Sequence, residues 1–154
     1  MRDLSIDQDT TDLMKCLSAV SEWVQGRGRA VRTVVLGAFG GRFDHVMGNL
    51  WALHRFVGED ILLVGDGNVA RLLPPGESRV RVLRDTEGPE CGIVPLLGRA
   101  RVSSQGLRWD MDALELSFDG IISTSNLADA DEVHITTDVP VLFTLRCALA
   151  DLLE

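Results

Sequence analysis

Two hydrophobic periodicities divide the chain at about its first third. Leu13, Leu17, Val20, Trp23 and Val24 recur at helical spacing, so a helix is expected from Thr10 or Thr11 to Gly26. Val31-Arg32-Thr33-Val34-Val35-Leu36 is a β-branched and aliphatic run that reads as a buried strand, and Phe43, Val46, Met47, Leu50 and Leu53 then return to helical spacing. Beyond residue 58 the helical period is lost. Short strands are expected at 61–64, 69–73, 79–83, 92–96, 99–103, 113–118, 120–124, 132–136 and 141–149, with turns at Gly65-Asp66-Gly67-Asn68 and Pro74-Pro75-Gly76. The pattern predicts an α/β portion over residues 1–60 followed by an all-β sandwich over 61–154, with the boundary near 58–62.

The joint between the first strand and the second helix is Gly37-Ala38-Phe39-Gly40-Gly41-Arg42-Phe43-Asp44. Glycines let the backbone turn sharply and approach a ligand, and the N–H groups and positive dipole end of the following helix favour an anion. The spacing matches neither a P-loop nor the dinucleotide fingerprint. Instead, Arg42 offers a guanidinium fork for phosphate oxygens, and Asp44 offers a carboxylate for a metal, a hydroxyl or the arginine itself. A tight strand-to-helix turn in which Asp44 caps the helix fits the same residues. Upstream, Asp7, Asp9 and Asp12 surround the start of the first helix, where they serve either as caps and dipole partners or, for Asp12, as a Mg²⁺ ligand reaching the glycine loop.

Composition narrows the classes. The 154 residues, 45% of them hydrophobic, can bury a core, and a formal charge of -8 without a basic run argues against a nucleic-acid or anionic membrane partner. Cys16, Cys91 and Cys147 lack the spacing of a disulfide framework or zinc site. His45, His54 and His134 likewise lack metal-ligand spacing and read as surface or packing residues. No signal-peptide pattern opens the sequence and no apolar run approaches about 20 residues, so a cytoplasmic location is expected.

Two polar clusters interrupt the strand region. Gln105-Gly106-Leu107-Arg108-Trp109-Asp110 places an indole in a loop, and Ser123-Thr124-Ser125-Asn126 places small hydrogen-bonding groups at a strand end. A flat heteroaromatic ligand needs such stacking and such hydrogen bonds, although a packed tryptophan beside a polar turn fits as well.

Together these motifs resemble the thiamin pyrophosphokinase family. The resemblance rests on Asp7-Gln8-Asp9-Thr10-Thr11-Asp12-Leu13-Met14-Lys15-Cys16-Leu17, Gly40-Gly41-Arg42-Phe43-Asp44-His45, Cys91-Gly92-Ile93-Val94-Pro95-Leu96, Gly106-Leu107-Arg108-Trp109, Ser123-Thr124-Ser125-Asn126 and Pro140-Val141-Leu142-Phe143-Thr144. It implies an α/β nucleotide-binding portion followed by a β-sandwich that binds thiamin, assembled as a homodimer with each active site between two subunits. The implied reaction moves the pyrophosphoryl group of ATP to the hydroxyl of thiamin, with Mg²⁺ required. By resemblance, Asp12 is a metal ligand, and Gln8, Thr11, Gly40, Gly41 and Arg42 contact nucleotide or diphosphate. Asp44 stands close to the reacting hydroxyl as base or orienting group. Trp109 is the platform for the pyrimidine ring, with Ser123, Ser125 and Asn126 around it.

The family also carries a Gly-Asp-x-Asp-Ser metal motif ahead of the region where this sequence starts, so the chain is expected to be an N-terminally shortened member. Gly65-Asp66-Gly67 is the nearest string, and it reads as a hairpin turn. Two functions follow from the resemblance: an active pyrophosphotransferase, or a catalytically deficient thiamin-binding and dimerisation module. Magnesium-dependent ATP binding separates them.

Overall fold

A computed structural model describes residues 10–25 and 31–148. Helix α1 (Asp12–Gln25) starts where Thr11 Oγ1 accepts a hydrogen bond from the Met14 N–H at 3.3 Å, so Thr11 caps it as the sequence suggests. Gly26, the expected helix stop, lies outside the described residues. Strand β1 (Thr33–Leu36) runs through the glycine loop into α2 (Phe43–Arg55), and β2 (Ile61–Gly65) returns parallel to β1, Val35 opposite Leu63. The remaining strands are β3 (Asn68–Leu73), β4 (Gly76–Arg81), β5 (Glu87–Val94), β6 (Ala100–Gln105), β7 (Leu114–Leu116), β8 (Ser123–Leu127), β9 (Glu132–Thr137) and β10 (Val141–Cys147).

The architecture turns on β2. Four consecutive apolar side chains, Ile61 to Val64, are buried, as a strand covered on both faces requires. Ile61 and Leu63 join Leu17, Ala52 and Leu53 in a core beneath the helices, whereas Leu62 and Val64 join Ile93, Val102, Ile135 and Phe143 in the core of the sandwich. Asp66 and Gly67, at φ 46° and 69°, close the two-residue hairpin to β3. The first sheet then continues in the order β1-β2-β3-β10-β5-β8, parallel only between β1 and β2 and antiparallel elsewhere. The second sheet, in the order β4-β9-β6-β7, packs on the face opposite the helices. The fold is therefore a small helical α/β part joined to a β-sandwich, with one sheet shared between them.

Several elements depart from the pattern. β1 is an edge strand with Val34 and Leu36 50% and 70% exposed, because among the described residues β2 pairs with it on one side and no strand pairs with it on the other. In α1 the buried face is Met14, Leu17 and Ser21 rather than the side carrying Trp23, and in α2 it is Ala52 and Leu53, leaving Phe43, Met47 and Trp51 exposed. The strand expected at 120–124 begins at Ser123 instead, since residues 117–121 form a turn in which Ser117 N–H donates to the Ile121 carbonyl. Likewise β5 starts at Glu87, ahead of the expected 92, and β4 starts at Gly76, directly after the proline pair.

Candidate functional site

A cleft of about 760 Å³ opens where α1, the glycine loop and α2 converge, and Thr11, Asp12, Gly40, Gly41, Arg42 and Asp44 all line it. The backbone explains why. Gly37, Gly40 and Gly41 have φ of 71°, 90° and 66°, the left-handed region that glycine enters without steric penalty. The loop lies across the carboxyl end of β2, with Ala38 N–H bonded to the Val64 carbonyl at 3.0 Å. A methyl group at Gly65 would meet Phe39 N at 2.8 Å and Ala38 N at 3.1 Å, so only glycine permits this approach. Asn49 Nδ2 donates to the Ala38 carbonyl at 2.8 Å and ties the loop to α2.

Helix α2 presents an open N-terminus to the cleft. The first intrahelical bonds run from His45 and Val46 to the Arg42 carbonyl, and no side chain caps the end. The preceding N–H groups and the positive end of the dipole favour an anion there. Asp44 is thus in the first turn and is not the cap. Arg42 Nε and Nη2 instead donate to its two carboxylate oxygens at 3.1 and 2.5 Å, and this fork holds the Asp44 carboxyl below the ordinary carboxylate range. Both side chains are largely exposed. Asp12 is fully exposed and 3.8 Å from Lys15 Nζ. Among the described residues no three acidic, histidine or cysteine groups converge as a ready-made metal cage. Asp12 and Asp44 on one cleft do suit a cation that takes one or two carboxylates and completes its shell with substrate phosphates, as Mg²⁺ does. Gln8 lies outside the described residues.

The second cluster is built around Asn126, which is 3% exposed. Its Oδ1 accepts from the N–H groups of Trp109 at 3.2 Å and Leu127 at 2.8 Å, and its Nδ2 donates to the Trp109 carbonyl at 2.9 Å and to Ser123 Oγ at 3.4 Å. The amide therefore clamps the backbone of Trp109 while the indole stays 58% exposed. The β8 strand that carries the amide is bulged: Cys91 pairs with Asn126 but Ile93 pairs with Ser123, and Ser125 takes φ 59° within the extra length. Ser125 faces a different space, a groove of about 540 Å³ shared with Gly92, Thr124 and Thr144. Asp110 completes the tryptophan loop by accepting from the N–H groups of Gly106 and Leu107 and from Ser104 Oγ. Sequence pattern singles out neither Asp110 nor Asn49 and places Gly65 only in a hairpin turn; an aspartate closing a Gly-containing loop is the signal that points to the first.

The histidines bind nothing in common. His54 is a packing residue whose buried Nε2 has no partner among the described residues and whose pKa burial lowers, and His134 pairs with Glu132.

The two clusters stand at opposite edges of the first sheet, one at the end of β1 and the other on β8. Five inter-strand steps of about 4.8 Å put them roughly 24 Å apart. The chain thus has two parts, an α/β unit whose cleft receives an uncapped helix N-terminus and a β-sandwich that carries an exposed tryptophan. Family models describe the parts: "Thiamin pyrophosphokinase, catalytic domain" matches residues 1–64, and "Thiamin pyrophosphokinase, vitamin B1 binding domain" matches residues 77–142. Among relatives, thiamine pyrophosphokinase 1 of Oryza sativa subsp. japonica is 42% identical over 146 residues, covering 93% of this chain and 55% of its own length. Thiamine pyrophosphokinase 1 of Arabidopsis thaliana is 37% identical over 150 residues with the same coverage. The crystal structure of thiamin pyrophosphokinase from Geobacillus thermodenitrificans superposes with a TM-score of 0.73 at 20% identity, over 92% of this chain and 63% of that one, and shares the fold. The chain belongs to the thiamin pyrophosphokinase family, and it spans about half the length of the curated relatives it matches.

Proposed function

We propose that this chain carries out the thiamin pyrophosphokinase reaction, transferring the pyrophosphoryl group of ATP to thiamin to give thiamin diphosphate and AMP. The observation that carries the reading is the pairing of an anion cleft holding Thr11, Asp12, Arg42 and Asp44 with a clamped, exposed Trp109 on the same chain. In the transfer, the hydroxyethyl oxygen of thiamin bonds to the β-phosphorus. The bond from that phosphorus to the α–β bridging oxygen breaks, AMP departs with the electron pair, and the hydroxyl proton passes to solvent or a base. Little covalent work falls to the protein, so positioning and charge neutralisation dominate.

Arg42 and the N–H groups at the start of α2 bind the phosphates, and Gly40 and Gly41 let them approach. Asp44 orients the hydroxyl: a carboxylate held below its ordinary pKa by Arg42 is a weak proton acceptor. Bound Mg²⁺, held by Asp12 with the substrate phosphates, would supply charge neutralisation. Trp109 stacks on the pyrimidine ring, Asn126 fixes the indole's backbone, and Ser123 offers a hydroxyl beside it, whereas Ser125, expected there from the resemblance, faces the neighbouring groove. Gln8 extends the nucleotide contacts. Residues 1–60 thus take the nucleotide and residues 61–154 the vitamin.

Since roughly 24 Å separates the clusters within one chain, the reading calls for a homodimer in which the cleft of one copy meets the tryptophan of the other. The three cysteines with described surroundings are all free thiols, which suits the reducing cytosol. Among the described residues no helix is long and apolar enough to cross a membrane.

The test is thiamin diphosphate formation by the purified chain with thiamin, ATP and Mg²⁺, read by mass spectrometry against a metal-free control. Metal-dependent product with equimolar AMP is expected, and its absence from a folded chain refutes the transfer. Mixing Arg42→Ala and Trp109→Ala chains after unfolding and refolding, assayed at a thiamin concentration low enough that neither variant alone turns over measurably, should restore about a quarter of the wild-type sites if they form between two copies of a symmetric dimer. No recovery, with wild-type chain refolding normally, refutes the shared site.

A further inference from the structure

Arg71 is out of place on β3. Its neighbours on the same face, Val69 and Leu73, belong to the core between the sheets, and its partner across the ladder is Phe143, 1% exposed. The side chain itself is only partly accessible. Arginine stays protonated and carries five N–H donors, so a guanidinium with reduced access to water gains from acceptors. Among the described residues no side chain forms a hydrogen bond or ion pair with it, and its nitrogens keep contact with solvent, since His54 Nε2 is the one buried side-chain atom there left without a partner.

Its charged surroundings are already engaged. Asp60 accepts from Arg32 Nε at 2.8 Å, Glu59 accepts from Ser21 Oγ at 2.6 Å, and Glu87 accepts from the Leu83 N–H at 3.0 Å. Glu87 and Asp60 attract Arg71 only through space, and Arg32 repels it. Burial pushes the guanidinium below its ordinary value, which agrees with the missing partner. The group lines a cavity of about 290 Å³ at the open flank of the sandwich, together with Arg32, Arg79 and Ser78 and with the carboxylates Glu59 and Asp60, which are engaged by Ser21 and Arg32. Among the described residues Arg79 pairs with Glu77, at 3.3 Å on the surface.

We propose that this cavity is a second anion site, in which Arg71 forks a small oxyanion, phosphate or carboxylate, with Ser78 as a hydroxyl donor and Arg32 and Arg79 adding positive field. It is separate from the glycine-loop cleft and shares no lining residue with it. It does not depend on the transferase reading. The geometry suits an oxyanion because a planar fork with unused donors, held in a wall of apolar side chains, recognises two oxygens at once. Occupation would also stiffen the join between the two parts of the fold, since the cavity is walled by the α2 to β2 connection and by β3 and β4.

The experiment is titration of the ¹⁵N-labelled full chain with inorganic phosphate at constant ionic strength, followed by amide shifts. Saturable shifts are expected at Gly58, Asp60, Ser78 and Arg79, in addition to any at Gly40 and Gly41. Arg71→Gln should abolish the first set, a loss of at least tenfold in affinity, and leave the second. Arg71→Lys, which keeps the charge and lacks the fork, should weaken the first set, and it serves should the glutamine variant fail to fold. A parallel titration with acetate distinguishes the source: shifts at the same amides identify a carboxylate site, and their absence identifies a phosphate site. No saturable shift around the cavity with either anion, or shifts unchanged in both Arg71 variants, overturns the proposal.

Discussion

Replacing Asn126 with alanine is the most direct test of how the tryptophan platform is held. The side chain is buried, and it joins β8 to the Trp109 loop through both the N–H and the carbonyl of residue 109, with a further bond to the Leu127 N–H. Each hydrogen bond contributes about 1 kcal/mol net, and backbone groups left without partners lose more, while the half-exposed loop lets water recover part of that loss. The expected destabilisation is about 2–4 kcal/mol, which for a domain of this size is a fall of roughly 5–15 °C in Tm. Asn126→Asp sharpens the test, because it keeps the acceptor and turns an oxygen toward the Trp109 carbonyl; it should destabilise at least as much at neutral pH. The assay is urea denaturation followed by far-ultraviolet circular dichroism, with thiamin affinity measured in parallel by calorimetry. Both variants should also bind thiamin more weakly, since the indole loses its fixed backbone. Stability within about 0.5 kcal/mol of wild type in both variants would refute the clamp.

Other outcomes follow from the same structure. Gly65→Ala drives a methyl group into the backbone at Phe39 and Ala38, so it should lower stability by about 2–3 kcal/mol and broaden the Gly40 and Gly41 amide signals; urea denaturation and amide spectra check this. Trp109→Ala should weaken thiamin binding by ~1–3 kcal/mol with little effect on ATP, while Asp44→Asn should leave thiamin binding nearly intact and lower turnover, as calorimetry and product formation would read. Of the three thiols, Cys16 alone is exposed, so native alkylation near pH 8 should modify one cysteine rapidly. Burial, with a smaller contribution from Asp129, pushes the Cys91 thiol up to about 11 from an unfolded value of 9.0. Between those values the unfolded chain has lost a proton that the folded chain keeps, so stability should decline by about 2 kcal/mol from pH 9 toward 11, and a flat denaturation profile there would contradict the burial.

The elements were legible wherever a local rule determined them. The change from helical to alternating apolar spacing near residue 58 announced a helical part followed by a sandwich. Asp66-Gly67 announced a tight hairpin because both positions need positive φ. Thr11 announced a helix cap, and Gly37, Gly40 and Gly41 announced a loop able to approach a ligand. The residues named for the cleft, other than Gln8 outside the described residues, do line one cavity, because all lie at the adjoining ends of α1, β1 and α2.

What depended on the third dimension could not be read in this way. Aliphatic side chains on β1 suggest burial, but Val34 and Leu36 are exposed because exposure follows from which strands and sheets lie beside them. The bulge opposite Gly92 turned Asn126 inward and sent Ser125 into another groove, so four consecutive residues that looked like one cluster serve two spaces. The order β1-β2-β3-β10-β5-β8 put the anion cleft and Trp109 at opposite edges of one sheet. Spacing along the chain specifies local conformation through sterics and hydrogen bonding, and it determined the helices, turns and donor groups here. Distances between parts of the chain that are remote in sequence come from strand pairing and packing, and only those decided which groups meet.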